Sequence, residues 1–193
     1  MVAGHFGFAA LVKSRERQTP LWALMLACQW LDVVFVPLFA AHIERIVPVA
    51  GTKGGYGEGI IYADYTHSLV GALALSALFG ALGALLWGKR SGVVLVAVVF
   101  SHWVLDLVVH RSDLPLLPGD AGQLPRLGFG LWRVPWLSLA VELALVAAGA
   151  YLYWRAAAET ASSAKRGTRN ANVAGALLLA FGIMTLTLNG LGL

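Results

Sequence analysis

Long apolar runs separated by short polar segments dominate the chain. They lack the period-two alternation of membrane β-barrel strands, as VGALALSALFGALGALLW illustrates. About 20 apolar residues cross a bilayer core as a helix. Five runs reach that length: Pro20–Ala41, Thr66–Trp87, Gly92–His110, Pro135–Trp154 and Val173–Leu193. A shorter run, Val2–Val12, comes first, with Lys13, Arg15 and Arg17 after it, the reverse of a secretory signal. The pattern predicts an all-α integral membrane protein: a bundle of five transmembrane helices plus an N-terminal half-helix or re-entrant segment. Residues 1–193 form a single transmembrane domain. The alternative for Val2–Val12 is a frayed terminus.

Composition closes off the other classes. Of 193 residues, 59% are apolar and 12% charged, with mean hydropathy +0.74, against about 25% charged in soluble domains. That excludes a soluble globular enzyme and a disordered chain. The single cysteine, Cys28, excludes a disulfide scaffold and an all-cysteine metal site.

Short basic loops stay cytoplasmic, so Lys and Arg set the orientation. One face carries Lys13, Arg15, Arg17, Lys89, Arg90, Arg155, Lys165, Arg166 and Arg169; the other carries Arg45, Lys53, Arg111, Arg126 and Arg133. The richer face is predicted to be cytoplasmic, which puts the basic N-terminal segment inside and the C-terminus outside. The net charge of +4 then reflects contact with anionic membrane lipids, and no nucleic-acid partner is predicted. The outer connections are longer and richer in turn residues. Functional loops would sit there: GTKGGYGEG reads as a linker or a flexible lid, without the order of a phosphate loop, and the other outer connection contains LPLLPGDAGQLP, with three prolines.

Ionisable residues inside apolar spans are costly and are retained for pairing, ion binding or catalysis. FSHWVLDLVVH sets His102, Asp106 and His110 at i, i+4 and i+8, so one helix face carries all three. Asp32, His67 and Glu142 lie in other spans and His5 in the half-helix; counting rise per residue, most of these groups meet in the outer half of the bilayer. Imidazole and carboxylate ligands suit a divalent metal, zinc first, with manganese or iron as alternatives. The contrasting reading is a polar stripe that fixes helix register. His42 and Glu44 open the outer loop and either join the site or stay on the surface. Arg111 either holds a phosphate or snorkels, and Cys28 reads as core packing.

Thr66-His67-Ser68 and Ser101-His102-x-x-Leu105-Asp106, with an early His5 and with Asp32 one helix later, resemble the bacterial inner-membrane metal-dependent hydrolases described as LexA-binding. SHWVLDLVVHRSDLPLLPG resembles a subgroup of that family, and the similarity covers most of residues 1–120. The resemblance implies a bacterial inner-membrane location. It also implies metal-binding roles for His5, Asp32, His67, His102 and Asp106, and hydrolysis of an ester or phosphoester. The order of these residues is also similar to that of zinc-dependent phospholipases C. Family members often carry a second acidic residue beside the first Asp, whereas QWLDVVF has Asp32 alone, so the number of metals stays open.

The sequence thus points to a membrane-embedded metal-dependent hydrolase acting on an amphiphilic, lipid-like substrate. Asp106, His110 and Glu142 are its catalytic candidates. The alternatives are an accessory subunit of a larger membrane complex and a small transporter or proton-relay protein.

Overall fold

The computed structural model describes residues 1–52, 55–163 and 168–191. Lys53, Lys165 and Arg166 of the charge pattern, and residues 192–193 of the last predicted span, lie outside the described residues. The helices are α1 (Val2–Arg15), α2 (Leu21–Ala27), α3 (Trp30–Ala40), α4 (Leu69–Trp87), α5 (Lys89–Val109), α6 (Pro135–Ser163) and α7 (Arg169–Leu191). Among the described residues, four helices are long and apolar enough to cross a membrane, or five if the bent pair α2–α3 counts as one span.

Helix α1 extends three residues past the predicted half-helix and is packed rather than frayed. Its buried face of Ala3, Gly4, His5, Gly7, Ala9 and Ala10 lies mainly on α6. Small residues make that crossing close. A Cβ on Gly7 would stand 2.6 Å from the Leu145 backbone carbonyl, and one on Gly149 would strike the Gly7 carbonyl. Helices α4 and α5 form a tight hairpin around Gly88, whose φ of 86° suits glycine. Gly80 meets Val96 and the Gly92 carbonyl across it.

The first full span differs from expectation. Pro20–Ala41 is two helices bent by 49° at Cys28–Gln29. The sequence there offers no Gly or Pro; the bend is kept by a tertiary bond, because the freed Cys28 carbonyl accepts from the His102 ring. The second span also starts later than predicted. Helix α4 begins at Leu69, with Ser68 Oγ accepting from the Gly71 N–H at 3.0 Å, which leaves Thr66 and His67 in the turn before it. The 111–117 loop completes that cap, as Leu69 N donates to the Pro115 carbonyl and Val70 N to the Leu116 carbonyl. His110 is likewise the residue just past α5 rather than its last turn, and α6 runs nine residues beyond Trp154.

The glycine-rich outer connection is an antiparallel hairpin, not a plain linker. Strand β1 (Arg45–Pro48) pairs with β2 (Gly59–Tyr62) in the register Arg45↔Tyr62 to Pro48↔Gly59. Ile61 N donates to Asp113 Oδ2, and Arg111 donates to the Gly57 carbonyl, so the hairpin is tied to the 111–134 connection. The Arg111 bonds come from Nε and Nη2 and use two of the five guanidinium N–H groups on the Gly57 carbonyl.

Candidate metal centre

Four segments deliver the candidate ligands to one place. Helix α1 brings His5, the first turn of α3 brings Asp32, the turn before α4 brings His67, and α5 brings His102 and Asp106. Two overlapping triads, His5–His102–Asp106 and Asp32–His67–His102, each present ligand atoms within 4.8 Å of one another. Asp106 sits at the hub: Oδ1 is 3.2 Å from His5 Nε2, and Oδ2 is 3.1 Å from His102 Nε2 and 3.7 Å from both His67 Nε2 and His110 Nε2. Asp32 Oδ1 lies 3.4 Å from His67 Nε2 and 3.6 Å from His102 Nε2. All five residues that the sequence assigned to a metal are therefore brought together.

The opposite ring nitrogens decide what these atoms can do. His102 Nδ1 is 2.7 Å from the Cys28 carbonyl oxygen, which only accepts, so Nδ1 carries the hydrogen. The Thr66 hydroxyl donates to the Glu44 carboxylate at 2.9 Å, so it accepts from His67 Nδ1, also 2.9 Å away. His110 Nδ1 donates to Asp113 Oδ1 at 2.9 Å. In each neutral ring the Nε2 lone pair then faces the centre, where it meets carboxylate oxygens and other lone pairs. Buried acceptors crowded together repel unless a proton on one of the rings or a metal cation lies among them. Holding the outer N–H of a histidine on a carbonyl or carboxylate is also how proteins orient imidazoles toward metals. The cluster could hold a metal ion, and its nitrogen–oxygen composition suits zinc, manganese or iron.

His5 differs from the other three. Its ring stacks on His102 with centroids 3.8 Å apart, and its Nδ1 has no partner among the described residues. Access to the cluster is uneven too. The Asp32 side chain is 39% exposed, whereas those of His5, His67, His102 and Asp106 are at most 4%. Asp32 is thus the open edge of the centre.

Glu142 lies elsewhere than the catalytic expectation had it. It is fully buried, but Oε2 accepts from the Gly4 N–H at 3.1 Å and Oε1 from the Tyr56 hydroxyl, which also bonds Ser138 Oγ at 2.7 Å. Burial, and then the neighbouring Glu142 carboxylate, push the Tyr56 phenol well above its ordinary range. Glu142 therefore braces the start of α1, next to His5, and among the described residues makes no hydrogen bond or ion pair with the five candidate ligands. His42 is exposed and outside the cluster.

Glu44, left open by the sequence, is 1% exposed and belongs behind His67; it also accepts from the Tyr65 and Thr66 N–H groups, each at 2.8 Å. Sequence reasoning missed Asp113 and Trp132. Asp113 follows His110 by three residues, a spacing that was the available signal. Trp132 packs on the His110 ring with centroids 4.3 Å apart. The Ser68 and Ser101 hydroxyls both donate to backbone carbonyls, so neither is poised as a nucleophile. Compared with known proteins, the chain matches no family model, no curated protein and no solved structure.

Proposed function

We propose that the protein is a membrane-embedded metal-dependent hydrolase of an amphiphilic ester or phosphoester, working in the outer half of a bacterial inner membrane. The carrying observation is the centre itself: His67 and His102, each with Nδ1–H tied outward, and His5 bring their Nε2 atoms onto the Asp32 and Asp106 carboxylates. This donor set fits a divalent cation, zinc first. It also agrees with the resemblance to the inner-membrane metal-dependent hydrolases.

Two features support the membrane setting. Trp136 and Trp154 lie 18 positions apart on α6 and are 70% and 39% exposed. That spacing is about 27 Å along a helix, close to the ~30 Å of a hydrocarbon core, and Trp favours both interfaces. Lys13, Arg15 and Arg17 at the end of α1 and Lys89 and Arg90 at the α4–α5 turn suit a cytoplasmic face.

His5, Asp32, His67, His102 and Asp106 would hold the ion, which supplies a Lewis acid and makes water acidic enough to attack at neutral pH. The chain's own residues do the rest. Asp32, at the open edge, meets the substrate head. His110 Nε2, with Nδ1–H fixed by Asp113, takes up the proton of the attacking water. Burial of the remaining ligands keeps bulk water out and strengthens each electrostatic contact. Glu142 acts at one remove, by fixing the start of α1.

The test is turnover of long-chain 4-nitrophenyl esters and phosphoesters in mixed micelles by zinc- or manganese-loaded protein. Asp106→Asn is expected to lower the rate by about 10²-fold or more, the range for a lost acid–base or ligand group. Absence of turnover by loaded protein, or an undiminished rate in Asp106→Asn, would count against the proposal.

A further inference from the structure

Helices α1 and α6 run side by side in the same direction. The Gly4 N–H meets Glu142 near their starts and Gly7 packs on Leu145, Val146 and Gly149 further along, so Lys13, Ser14 and Arg17 come beside Tyr153 and Thr160. Helix α7 returns along α6, with Trp154 Nε1 donating to Asn172 Oδ1 at 2.8 Å and Gly182 against Val146. Where the three helices meet, at the basic end of the bundle, they leave a cavity of about 490 Å³. We infer that this cavity binds the phosphate of an anionic phospholipid headgroup from the cytoplasmic leaflet, at a site independent of the hydrolase reading.

Three observations select this ligand. The first is charge. Among the described residues, Lys13 and Arg17 line the cavity and no Asp or Glu does. The acids that adjoin the lining residues in sequence, Glu16 and Glu159, are paired with Arg90 at 3.0 Å and with Arg155 at 3.3 Å. The field in the cavity is therefore positive, and basic pockets between spans on the cytoplasmic side suit anionic headgroups.

The second is the supply of donors. Lys13 Nζ spends two N–H groups on the Arg17 and Thr19 carbonyls, at 3.1 and 2.8 Å, which fixes the segment that carries Arg17 and leaves one N–H for a ligand. The Ser14 and Thr160 hydroxyls donate to the Leu11 and Ala156 carbonyls. Among the described residues, the Arg17, Tyr153 and Asn170 side chains make no hydrogen bond, so a guanidinium, a phenol and an amide are free to donate into the cavity. A guanidinium fork among such donors matches phosphate oxygens.

The third is place. Every other lining residue is alanine, so the space comes from small side chains on α6 and α7. Tyr153 lines the cavity next to Trp154, the inner member of the tryptophan pair on α6, which puts the cavity at headgroup depth. A headgroup held there keeps its acyl chains in the adjoining leaflet, an anchorage that a soluble anion lacks.

The test is native mass spectrometry of the full chain released from detergent micelles, titrated with phosphatidylglycerol or with phosphatidylcholine of the same acyl chains. The first phosphatidylglycerol is expected to bind at least about tenfold more tightly than phosphatidylcholine, since each basic residue near an anionic headgroup contributes ~1 kcal/mol. Arg17→Gln should weaken that binding by about fivefold, the share of one such residue. Arg15→Gln removes an exposed cation outside the cavity wall and should leave it unchanged. Ala174→Leu fills the cavity without altering its charge and should abolish the preference.

Equal binding of the two lipids overturns the inference. So does an equal loss in Arg15→Gln and Arg17→Gln, which marks general attraction to a basic face, or a preference that survives Ala174→Leu. Equimolar inorganic phosphate is expected to leave the bound lipid in place; displacement would assign the cavity to a free anion and overturn the lipid site. Wild type and Arg17→Gln, whose side chain is exposed, decide the matter even if Ala174→Leu fails to fold.

Discussion

His67 and His102 face each other Nε2 to Nε2 at 3.3 Å, and neither nitrogen has a hydrogen to offer in the neutral ring. The reason lies behind each ring. His102 spends its N–H on the carbonyl released where the α2–α3 span breaks, and His67 spends its own on Thr66, which Glu44 holds. A kink in one helix and a carboxylate in a loop thereby set the tautomers of two residues in the core.

On the proposed metal reading, that arrangement makes Thr66 and Glu44 determinants of metal affinity. Thr66→Val, close to isosteric, should weaken binding by about 10–100-fold, as other outer-shell losses do, with the helical content unchanged. Competition against a chromophoric chelator measures it. Affinity equal to wild type would mean that His67 is not oriented through Thr66.

Much of this site was legible in the sequence because charge inside an apolar run is conspicuous. His5, Asp32, His67, His102, Asp106, His110 and Glu142 stood out for that reason, the i, i+4, i+8 spacing put three of them on one face, and the family resemblance singled out the five assigned to a metal. Asp113 did not stand out, and Glu44 stayed open between site and surface: both lie in connections, where a charged residue is ordinary, and only the fold reveals them as buried at 3% and 1% exposure. The bend at Cys28–Gln29 was also invisible, since its partner is 74 residues away and local propensity favours a continuous helix. Glu142 misled for the converse reason. An intramembrane carboxylate advertises function, yet its partners are a backbone N–H and a tyrosine.

Tyr56→Phe tests that reassignment. It removes one of the protein donors of a fully buried carboxylate, a loss of about 1–3 kcal/mol. The melting temperature in detergent should fall while metal content stays at the wild-type level. Loss of metal at preserved stability would return Glu142 to the reaction centre.

The close approach of α1 to α6 gives a second stability prediction. A methyl at position 7 would press on the Leu145 and Val146 backbone at 2.6–2.7 Å, which cannot yield as a side chain would. Gly7→Ala should destabilise by about 1–3 kcal/mol. Because His5 lies two residues away on the same helix, chelator competition should also show weaker metal binding. An unchanged melting curve would contradict the packing.

At the opposite end, Glu16 joins two helical layers. Its carboxylate accepts from the Gln18 and Thr19 N–H groups and pairs with Arg90 Nε at 3.0 Å. Burial alone would raise its pKa, but the Gln18 hydrogen bond, the Arg90 contact and the Thr19 hydrogen bond outweigh that and hold it below the ordinary glutamate range. A depressed carboxyl stabilises the fold fully above its unfolded pKa of about 4.3, and the contribution is lost as pH falls through the folded value. Wild type should therefore lose more melting temperature than Glu16→Gln between pH 7 and pH values below that range. Parallel loss in the two proteins would show that Glu16 contributes nothing there.

The central claim, that the converging imidazoles and carboxylates form a metal centre, is tested most directly by elemental mass spectrometry of the purified chain. Near-stoichiometric zinc, manganese or iron is predicted in wild type and in Glu142→Gln, with loss in His102→Ala and in His67→Ala at matched helical content. Wild-type protein without metal even after resupply, or variants that retain it in full, would contradict the account.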